Sequence, residues 1–198
     1  PRSDSSAASD VYKRQTIPFV NKSLASGRDK LTSYKDITTY NNYYEFGTSK
    51  SDPYRNSKTF KTTPWEISIE GEVEKPIKLS MEEISEMFVS EERIYRLRCV
   101  EGWSMVIPWM GFSLSELLSK VNPTNKAKFV EFESVYDPAQ MKGQRYPVLN
   151  WPYNEGLRID EAMHPLTTVV TGLYGKKLPN QNGAPLRIFI PWKYGFKS

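Results

Sequence analysis

Residues 96–111 read Arg96-Leu97-Arg98-Cys99-Val100-Glu101-Gly102-Trp103-Ser104-Met105-Val106-Ile107-Pro108-Trp109-Met110-Gly111 and contain the only cysteine of the 198-residue sequence. Side chains alternate in character over residues 94–100, which predicts a strand that places Cys99 near its end on the face of Leu97. The alternation breaks at Gly102, and glycine adopts turn conformations that are closed to other residues. The stretch therefore predicts a strand, a tight turn and an aromatic run that together form a good place for a ligand.

Cys99 alone supports two interpretations. A lone cysteine is most often a small buried hydrophobic residue. A thiolate is also a soft metal ligand, and arginines on the flanking backbone can lower the pKa of a thiol. The residue type by itself does not decide between a core position and a metal site.

Length and composition narrow the class of protein. The chain is long enough for one domain with a sizeable core, and 38% hydrophobic with 25% charged residues is typical of a soluble protein. Apolar runs stay far below the ~20 residues that span a bilayer. The net charge of +4 comes from scattered lysines and arginines, which gives little support for nucleic-acid binding.

The pattern of apolar residues predicts an α+β class with a mixed sheet and short helices. Alternating or β-rich runs predict strands within residues 65–73, 94–100, 127–136, 166–173 and 184–192.

Three polar residues predict helix starts. Capping-box sequences begin at Ser80 and Ser113, and they predict a helix over residues 81–88 and a second helix that stops before Pro123. Asp160 is expected to cap a short helical turn.

The remaining segments carry little periodicity. We expect residues 1–15 to be a disordered or artefactual leader, and residues 16–61 to form a long polar loop layer. Residues 137–154 carry three prolines and predict an irregular excursion. We interpret residues 16–198 as one domain, and we expect the natural protein to continue beyond Ser198.

Separated motifs in one order carry a family resemblance. They are Asn41-Asn42-Tyr43-Tyr44-Glu45-Phe46, Arg98-Cys99-Val100-Glu101-Gly102-Trp103-Ser104, Pro108-Trp109-Met110-Gly111-Phe112, and Asn182-Gly183-Ala184-Pro185-Leu186-Arg187 followed by Pro191-Trp192-Lys193-Tyr194-Gly195-Phe196-Lys197. With these motifs the chain strongly resembles the bacterial periplasmic protein-methionine-sulfoxide reductase catalytic subunits. That family belongs to the sulfite oxidase fold and carries molybdenum on a pterin, so the resemblance implies a sulfite oxidase-type molybdopterin-binding fold.

The resemblance also implies roles for individual residues. Cys99 would ligate molybdenum beside the two dithiolene sulfurs of the pterin, with Glu101 and Asn42 as further catalytic candidates near the metal. Residues that match the pterin-binding positions of the family are Asn41, Tyr44, Glu45, Ser134, Asn182, Arg187 and Ser198. Arg187 suits the pterin phosphate because guanidinium binds phosphate with two parallel hydrogen bonds. Ser134 stands where the family commonly has threonine.

The implied activity is the reduction of methionine sulfoxide, free or within proteins, to methionine as part of periplasmic protein repair. Electrons would come from a haem-containing membrane subunit. Trp103, Trp109 and Trp151 are candidates for an apolar rim around the substrate, whereas the lone histidine, His164, is expected to be structural.

Two other functions stay open. The first is another activity of the same fold family, either sulfite oxidation or the reduction of S- and N-oxides in general. The second is a non-enzymatic binding module whose aromatic residues hold a peptide or glycan.

Overall fold

The computed structural model describes residues 20–21, by their backbone, and residues 29–193. The expected leader, residues 1–15, and the candidate Ser198 lie outside these ranges. No helix within the described part is long and apolar enough to cross a membrane.

Strands dominate the described residues and are joined by short helices. In chain order the strands are β1 (Val20–Asn21), β2 (Glu66–Ile69), β3 (Ile77–Ser80), β4 (Glu91–Arg98), β5 (Ser104–Ser113), β6 (Phe129–Glu133), β7 (Asn154–Arg158), β8 (Thr168–Leu173), β9 (Lys176–Lys177) and β10 (Arg187–Phe189). The α-helices are α1 (Tyr34–Thr39), α2 (Asp52–Asn56), α3 (Met81–Met87), α4 (Leu114–Val121) and α5 (Ile159–Ala162). Short 3-10 helices are formed by Tyr44–Phe46, Lys142–Arg145 and Asn180–Asn182.

One six-stranded sheet organises the fold, in the order β1-β4-β5-β8-β10 with β9 also paired to β8. β1 runs parallel to β4, and the other neighbours are antiparallel. Two small sheets, β2–β3 and β6–β7, complete the architecture. This mixed sheet with short helices confirms the predicted α+β class.

The β4–β5 hairpin has the predicted alternation. Leu97 and Cys99 are buried and Arg98 is exposed, so one face of β4 enters the core. Gly102 has a φ of 79°, and the turn closes through a hydrogen bond from the Cys99 N–H to the Trp103 carbonyl at 3.1 Å. Cys99 therefore lies one residue past the strand, as predicted.

The aromatic run after the turn forms a strand, which the sequence pattern did not predict. β5 pairs with β4 on one side and β8 on the other, and it is buried from Val106 onward. Proline has no N–H to donate to a neighbouring strand. Pro108 is tolerated because the ladder between β5 and β8 ends at Trp109 opposite Leu173, so no hydrogen bond of that ladder is lost. Its carbonyl accepts from the Tyr174 N–H at 2.9 Å.

The prediction of a loop layer over residues 16–61 is wrong. α1, α2 and the 3-10 helix Tyr44–Phe46 lie there. These helices are too short to show an apolar stripe, and they are set by local signals instead. Ser33 caps α1 by accepting from the Asp36 N–H at 3.1 Å, and Pro53 lies in the first turn of α2. The strands β3 and β7 were also missed.

One of the three predicted helix starts differs from the structure, and a second lacks its predicted hydrogen bond. α4 begins directly after Ser113, as predicted, but the Ser113 side chain makes no capping hydrogen bond and its hydroxyl lies 2.8 Å from that of Ser115. α5 begins after Arg158, whose N–H donates to Glu161 Oε2 at 3.1 Å, so Asp160 lies inside the helix. The helix after Ser113 does end before Pro123, as predicted.

The capping box of α3 is present and makes a testable prediction. Glu83 Oε2 accepts from the Ser80 N–H at 2.8 Å and from its hydroxyl at 2.9 Å, and these hydrogen bonds hold the pKa of Glu83 below its ordinary value of 4.5. A carboxyl with a depressed folded-state pKa stabilises the fold above its unfolded pKa, and this contribution disappears as the pH falls through the folded value.

We therefore expect Glu83→Gln to lower the Tm of the intact protein at neutral pH, by a margin that shrinks as the pH falls below 4.5. Thermal unfolding followed by circular dichroism over that pH range measures it. Glu82→Gln on the same turn is the control, and an equal pH-dependent loss in both variants would contradict the capping role.

Candidate functional site

The Cys99 turn contacts the segment that follows residues 41–46, the motif that the resemblance assigns to the pterin and that we call the first cofactor motif. Cys99 is 6% exposed. Two residues later, Glu101 Oε1 accepts a hydrogen bond from Lys50 Nζ at 2.6 Å, and the Tyr44 hydroxyl lies 3.5 Å from the same oxygen. Two segments far apart in the sequence thus meet beside the cysteine.

Lys50 is the centre of this junction. Its ammonium lies 5.3 Å from the centre of the Tyr44 ring and 5.4 Å from that of Trp103, within the range of cation–π contacts. Burial alone would lower the pKa of Lys50, but hydrogen bonds with Glu101 and Tyr44 outweigh it and leave the pKa above its ordinary value. The sequence carried no signal for this residue, since a lysine in a polar segment is usually solvated.

Two buried amides converge on one carbonyl. Asn41 Nδ2 and Asn182 Nδ2 donate to the Ile37 carbonyl at 2.9 and 3.0 Å. Asn41 Oδ1 and Asn182 Oδ1 are buried, and neither accepts a hydrogen bond from any residue that the structure describes. Buried acceptors of this kind normally have a partner, so the two oxygens are ready to receive donors from a ligand.

Arg187 joins this pair from the last strand. Its Nη1 donates to the Asn182 carbonyl at 3.1 Å, and its guanidinium lies 5.3 Å from the ring centre of Trp109. Burial lowers the pKa of Arg187, an effect that nearby Tyr43 partly opposes. A guanidinium held over an aromatic ring at low exposure is well placed for an anionic group.

Ser134 and Glu45 lie along a groove next to Arg187. The groove runs between β2, β6 and the loop at Tyr43, and all three residues line it. Ser134 follows β6, and its N–H donates to the Tyr153 carbonyl at 2.8 Å. Glu45 is 1% exposed. Candidates for pterin binding from three separate parts of the chain, Glu45, Ser134 and Arg187, thus line one groove.

Gly143 packs against the backbone of two candidate residues, a contact that sequence reasoning missed. A Cβ atom at this position would lie 1.9 Å from the Tyr44 carbonyl oxygen and 2.7 Å from that of Glu45. The 3-10 helix Lys142–Arg145 therefore packs directly on the backbone that carries two candidate residues. The only available signal was a glycine inside a segment that we predicted to be irregular.

Gln144 connects the 3-10 helix Lys142–Arg145 to the residues that follow β6. It is 3% exposed, its Oε1 accepts from the Asp137 N–H at 2.8 Å, and its Nε2 donates to the Val135 carbonyl at 2.8 Å. The excursion over residues 137–154 is consequently a fixed support for the first cofactor motif, although most of it lacks regular structure.

The expected aromatic rim fails at one of its three residues and stays a prediction at the other two. Trp109 is 1% exposed and packs on Phe189 with ring centres 5.2 Å apart, so it is a core residue and the rim prediction is wrong for it. Trp103 is half-buried at the Cys99 turn. Trp151 is half-buried in the excursion and donates to the Tyr146 carbonyl at 2.9 Å.

Asn42 and His164 are the remaining residues that the sequence analysis considered. Asn42 is half-buried beside Asn41. His164 accepts from the Leu166 N–H at 3.2 Å and its ring packs 4.5 Å from that of Trp192, in agreement with the structural role expected for it.

Comparison with known proteins identifies the family. The model of the oxidoreductase molybdopterin binding domain matches residues 54–198, well over half of the chain. The chain belongs to this family. The match includes the Cys99 turn, Ser134, Asn182 and Arg187, whereas residues 41–45 precede it.

Curated relatives of this chain share one name. A protein-methionine-sulfoxide reductase catalytic subunit, MsrP, from Xanthomonas axonopodis pv. citri is 62% identical over 170 residues, which cover 86% of this chain and 53% of that protein. The MsrP of Burkholderia mallei is 59% identical over 86% of this chain and 51% of its own length. The MsrP of Pseudomonas syringae pv. tomato is 56% identical over 86% of this chain and 51% of its own length. The chain spans about half the length of these relatives.

A solved structure shows the same fold. The sulfane dehydrogenase SoxCD from Paracoccus pantotrophus superposes with a TM-score of 0.57 at 16% identity, over 76% of this chain and 38% of that one. This match and the family model confirm the sulfite oxidase-type, molybdopterin-binding fold.

The residues of the site fit the ligand that gives the family its name. A pterin edge presents both donors and acceptors, and the free oxygens of Asn41 and Asn182 can accept from it. Arg187 offers a cation for a phosphate, and Cys99 offers one soft donor to a metal. The donor set therefore matches a pterin phosphate that carries a thiophilic metal.

Proposed function

We propose that the intact protein is a molybdenum-pterin oxidoreductase that reduces methionine sulfoxide in proteins to methionine. The observation that carries this proposal is the Cys99 turn, held against the first cofactor motif by the Glu101–Lys50 ion pair and by Tyr44. The names of the relatives support the choice of substrate.

The proposed roles follow from the contacts of each side chain. Asn41 and Asn182 hold the pterin edge through their free amide oxygens, and Arg187 binds the phosphate. Cys99 supplies the protein ligand to the metal from a buried position, which protects the thiolate from oxidation. When bound, the molybdenum-pterin group supplies the two-electron chemistry that removes the sulfoxide oxygen.

Other candidates shape the surroundings of the cofactor. Ser134 offers a hydroxyl from the far side of the groove, and Ser198 is proposed for the same ligand by resemblance. Glu101 keeps the turn in place through Lys50, with both side chains about one-quarter exposed, at 24% and 25%. Tyr44 and Glu45 form the 3-10 helix that packs on Gly143, so their backbone positions are fixed before the ligand binds.

The setting of the reaction is also a proposal. By resemblance, we place residues 16–198 in a single cofactor-binding domain of a periplasmic repair enzyme. The relatives are named as catalytic subunits, which supports a separate partner subunit. We propose a haem-containing membrane protein as that partner and as the electron donor.

Steady-state assays on the intact, cofactor-loaded protein test the function. With a chemical electron donor, we expect turnover of methionine sulfoxide in an oxidised protein, and little oxidation of sulfite with an electron acceptor. Turnover of sulfite without sulfoxide reduction would replace the proposal with a sulfite-oxidising activity. Peptide or glycan binding without bound molybdenum would favour the non-enzymatic module.

A further inference from the structure

Exposed aromatic surface borders the Cys99 turn. Tyr40 is 55% exposed, and its ring centre lies 4.9 Å from that of Trp103. The Lys50 ammonium lies 5.4 Å from the Trp103 ring and is paired with Glu101. We call Tyr40, Trp103 and Lys50 the aromatic platform.

The platform is anchored on both sides. The Trp103 carbonyl accepts from the Cys99 N–H at 3.1 Å, which fixes the platform to the proposed metal ligand. Tyr40 directly follows α1, and its N–H donates to the Asp36 carbonyl at 3.2 Å. Rigid aromatic rings lose little conformational freedom when they bind, so a pair held in this way is suited to recognition.

The charges of the platform are balanced. The Lys50 ammonium and the Glu101 carboxylate neutralise each other at 2.6 Å. The remaining contact surface is two aromatic rings with a phenol hydroxyl at the edge. Such a surface favours CH groups and sulfur, and Lys50 already occupies a cation–π position at the Trp103 ring.

We propose that the aromatic platform binds the polypeptide segment that carries the methionine sulfoxide, next to the proposed reaction centre. The inference rests on the proposed function and extends it to the substrate. The methylene and methyl groups beside the sulfoxide, and apolar side chains that flank it, contact the rings of Tyr40 and Trp103. A neutral platform accepts flanking sequences of varied charge, as repair of many different proteins requires.

Equilibrium binding without an electron donor tests the platform independently of turnover. A fluorescent unfolded peptide with a single methionine sulfoxide is titrated with the intact protein and followed by anisotropy. Since an aromatic contact contributes about three- to tenfold in affinity, we expect Tyr40→Ala to raise Kd by that factor and Tyr40→Phe to retain the parent value.

Tyr54→Ala is the matched control. Tyr54 is also an exposed tyrosine, 41% exposed, with the Lys58 ammonium 5.3 Å from its ring centre, but it lies on α2. We expect its Kd to equal that of the parent. An equal loss of affinity in both alanine variants would overturn the proposal, because a general aromatic effect would then explain the result.

Kinetics separate this inference from the proposed function. We expect Tyr40→Ala to raise KM for the peptide more than KM for dimethyl sulfoxide, with little change in kcat. Sulfoxide turnover by the parent together with unchanged Kd and KM in Tyr40→Ala would overturn the platform alone. Absence of sulfoxide turnover in the loaded parent would overturn the function, and the anisotropy result would still decide whether the platform binds peptide.

Discussion

Replacing Cys99 with serine is expected to remove most of the molybdenum from the protein and to lower methionine sulfoxide reduction by about 100-fold or more. Loss of a residue that merely supports a metal ligand typically costs about 10- to 100-fold, so loss of the ligand itself should cost at least as much. A serine hydroxyl is a hard donor that stays protonated at neutral pH, whereas a thiolate is soft. Elemental analysis of molybdenum per polypeptide, with the sulfoxide assay, measures both effects.

Folding of the variant is checked separately, because Cys99 is also buried. Serine is close to cysteine in volume, and the circular dichroism spectrum of Cys99→Ser should match that of the parent. A Cys99→Ser protein that retains its full molybdenum content and its activity would show that Cys99 is a core residue. That outcome would remove the central support for the proposed function.

Replacing Gly143 with alanine is expected to destabilise the protein by about 3 kcal/mol and to reduce cofactor retention. The added methyl group would lie 1.9 Å from the Tyr44 carbonyl oxygen, so one of the two 3-10 helices must move. Overpacking against the backbone cannot be relieved by a side-chain rotation, which places the cost at the upper end of the usual range. Urea unfolding and the molybdenum content of the purified protein are the measurements.

Gly156→Ala is the matched control for this substitution. Gly156 lies on β7, and the nearest atom to a Cβ placed there is the Val130 carbonyl oxygen at 4.0 Å. We expect its stability to change by less than about 1 kcal/mol. If Gly143→Ala proves as mild as the control, the packing of its loop on Tyr44 and Glu45 does not position the cofactor motif.

Features that depend on neighbours in the sequence were predictable. The alternation of Leu97 and Cys99 with arginines placed one face of β4 in the core, and the capping box at Ser80 marked the start of α3. Both follow from local backbone geometry and from hydrogen bonds between residues three positions apart. The hydrophobic pattern did not predict short helices such as α1 and α2, because helices of this length can have a cap but are too short for an apolar stripe.

The family resemblance located most of the candidate site but could not show how its parts are held. It placed Asn41, Asn182 and Arg187 near one ligand without indicating that both amides share the Ile37 carbonyl. It also left Trp109 as a possible rim residue. Trp109 packs on Phe189 in the core, and no local pattern distinguishes a strand aromatic in the core from one at a pocket.

The sequence by itself determined the strand, the turn and the lone thiol at Cys99, because alternation and glycine act over a few residues. Only the tertiary structure decided what surrounds that thiol. Lys50 meets Glu101 across 51 residues, and Gly143 reaches the backbone of Tyr44 from another part of the chain. Such contacts depend on how the whole sheet brings distant loops together. No periodicity or local motif in the sequence therefore predicts them.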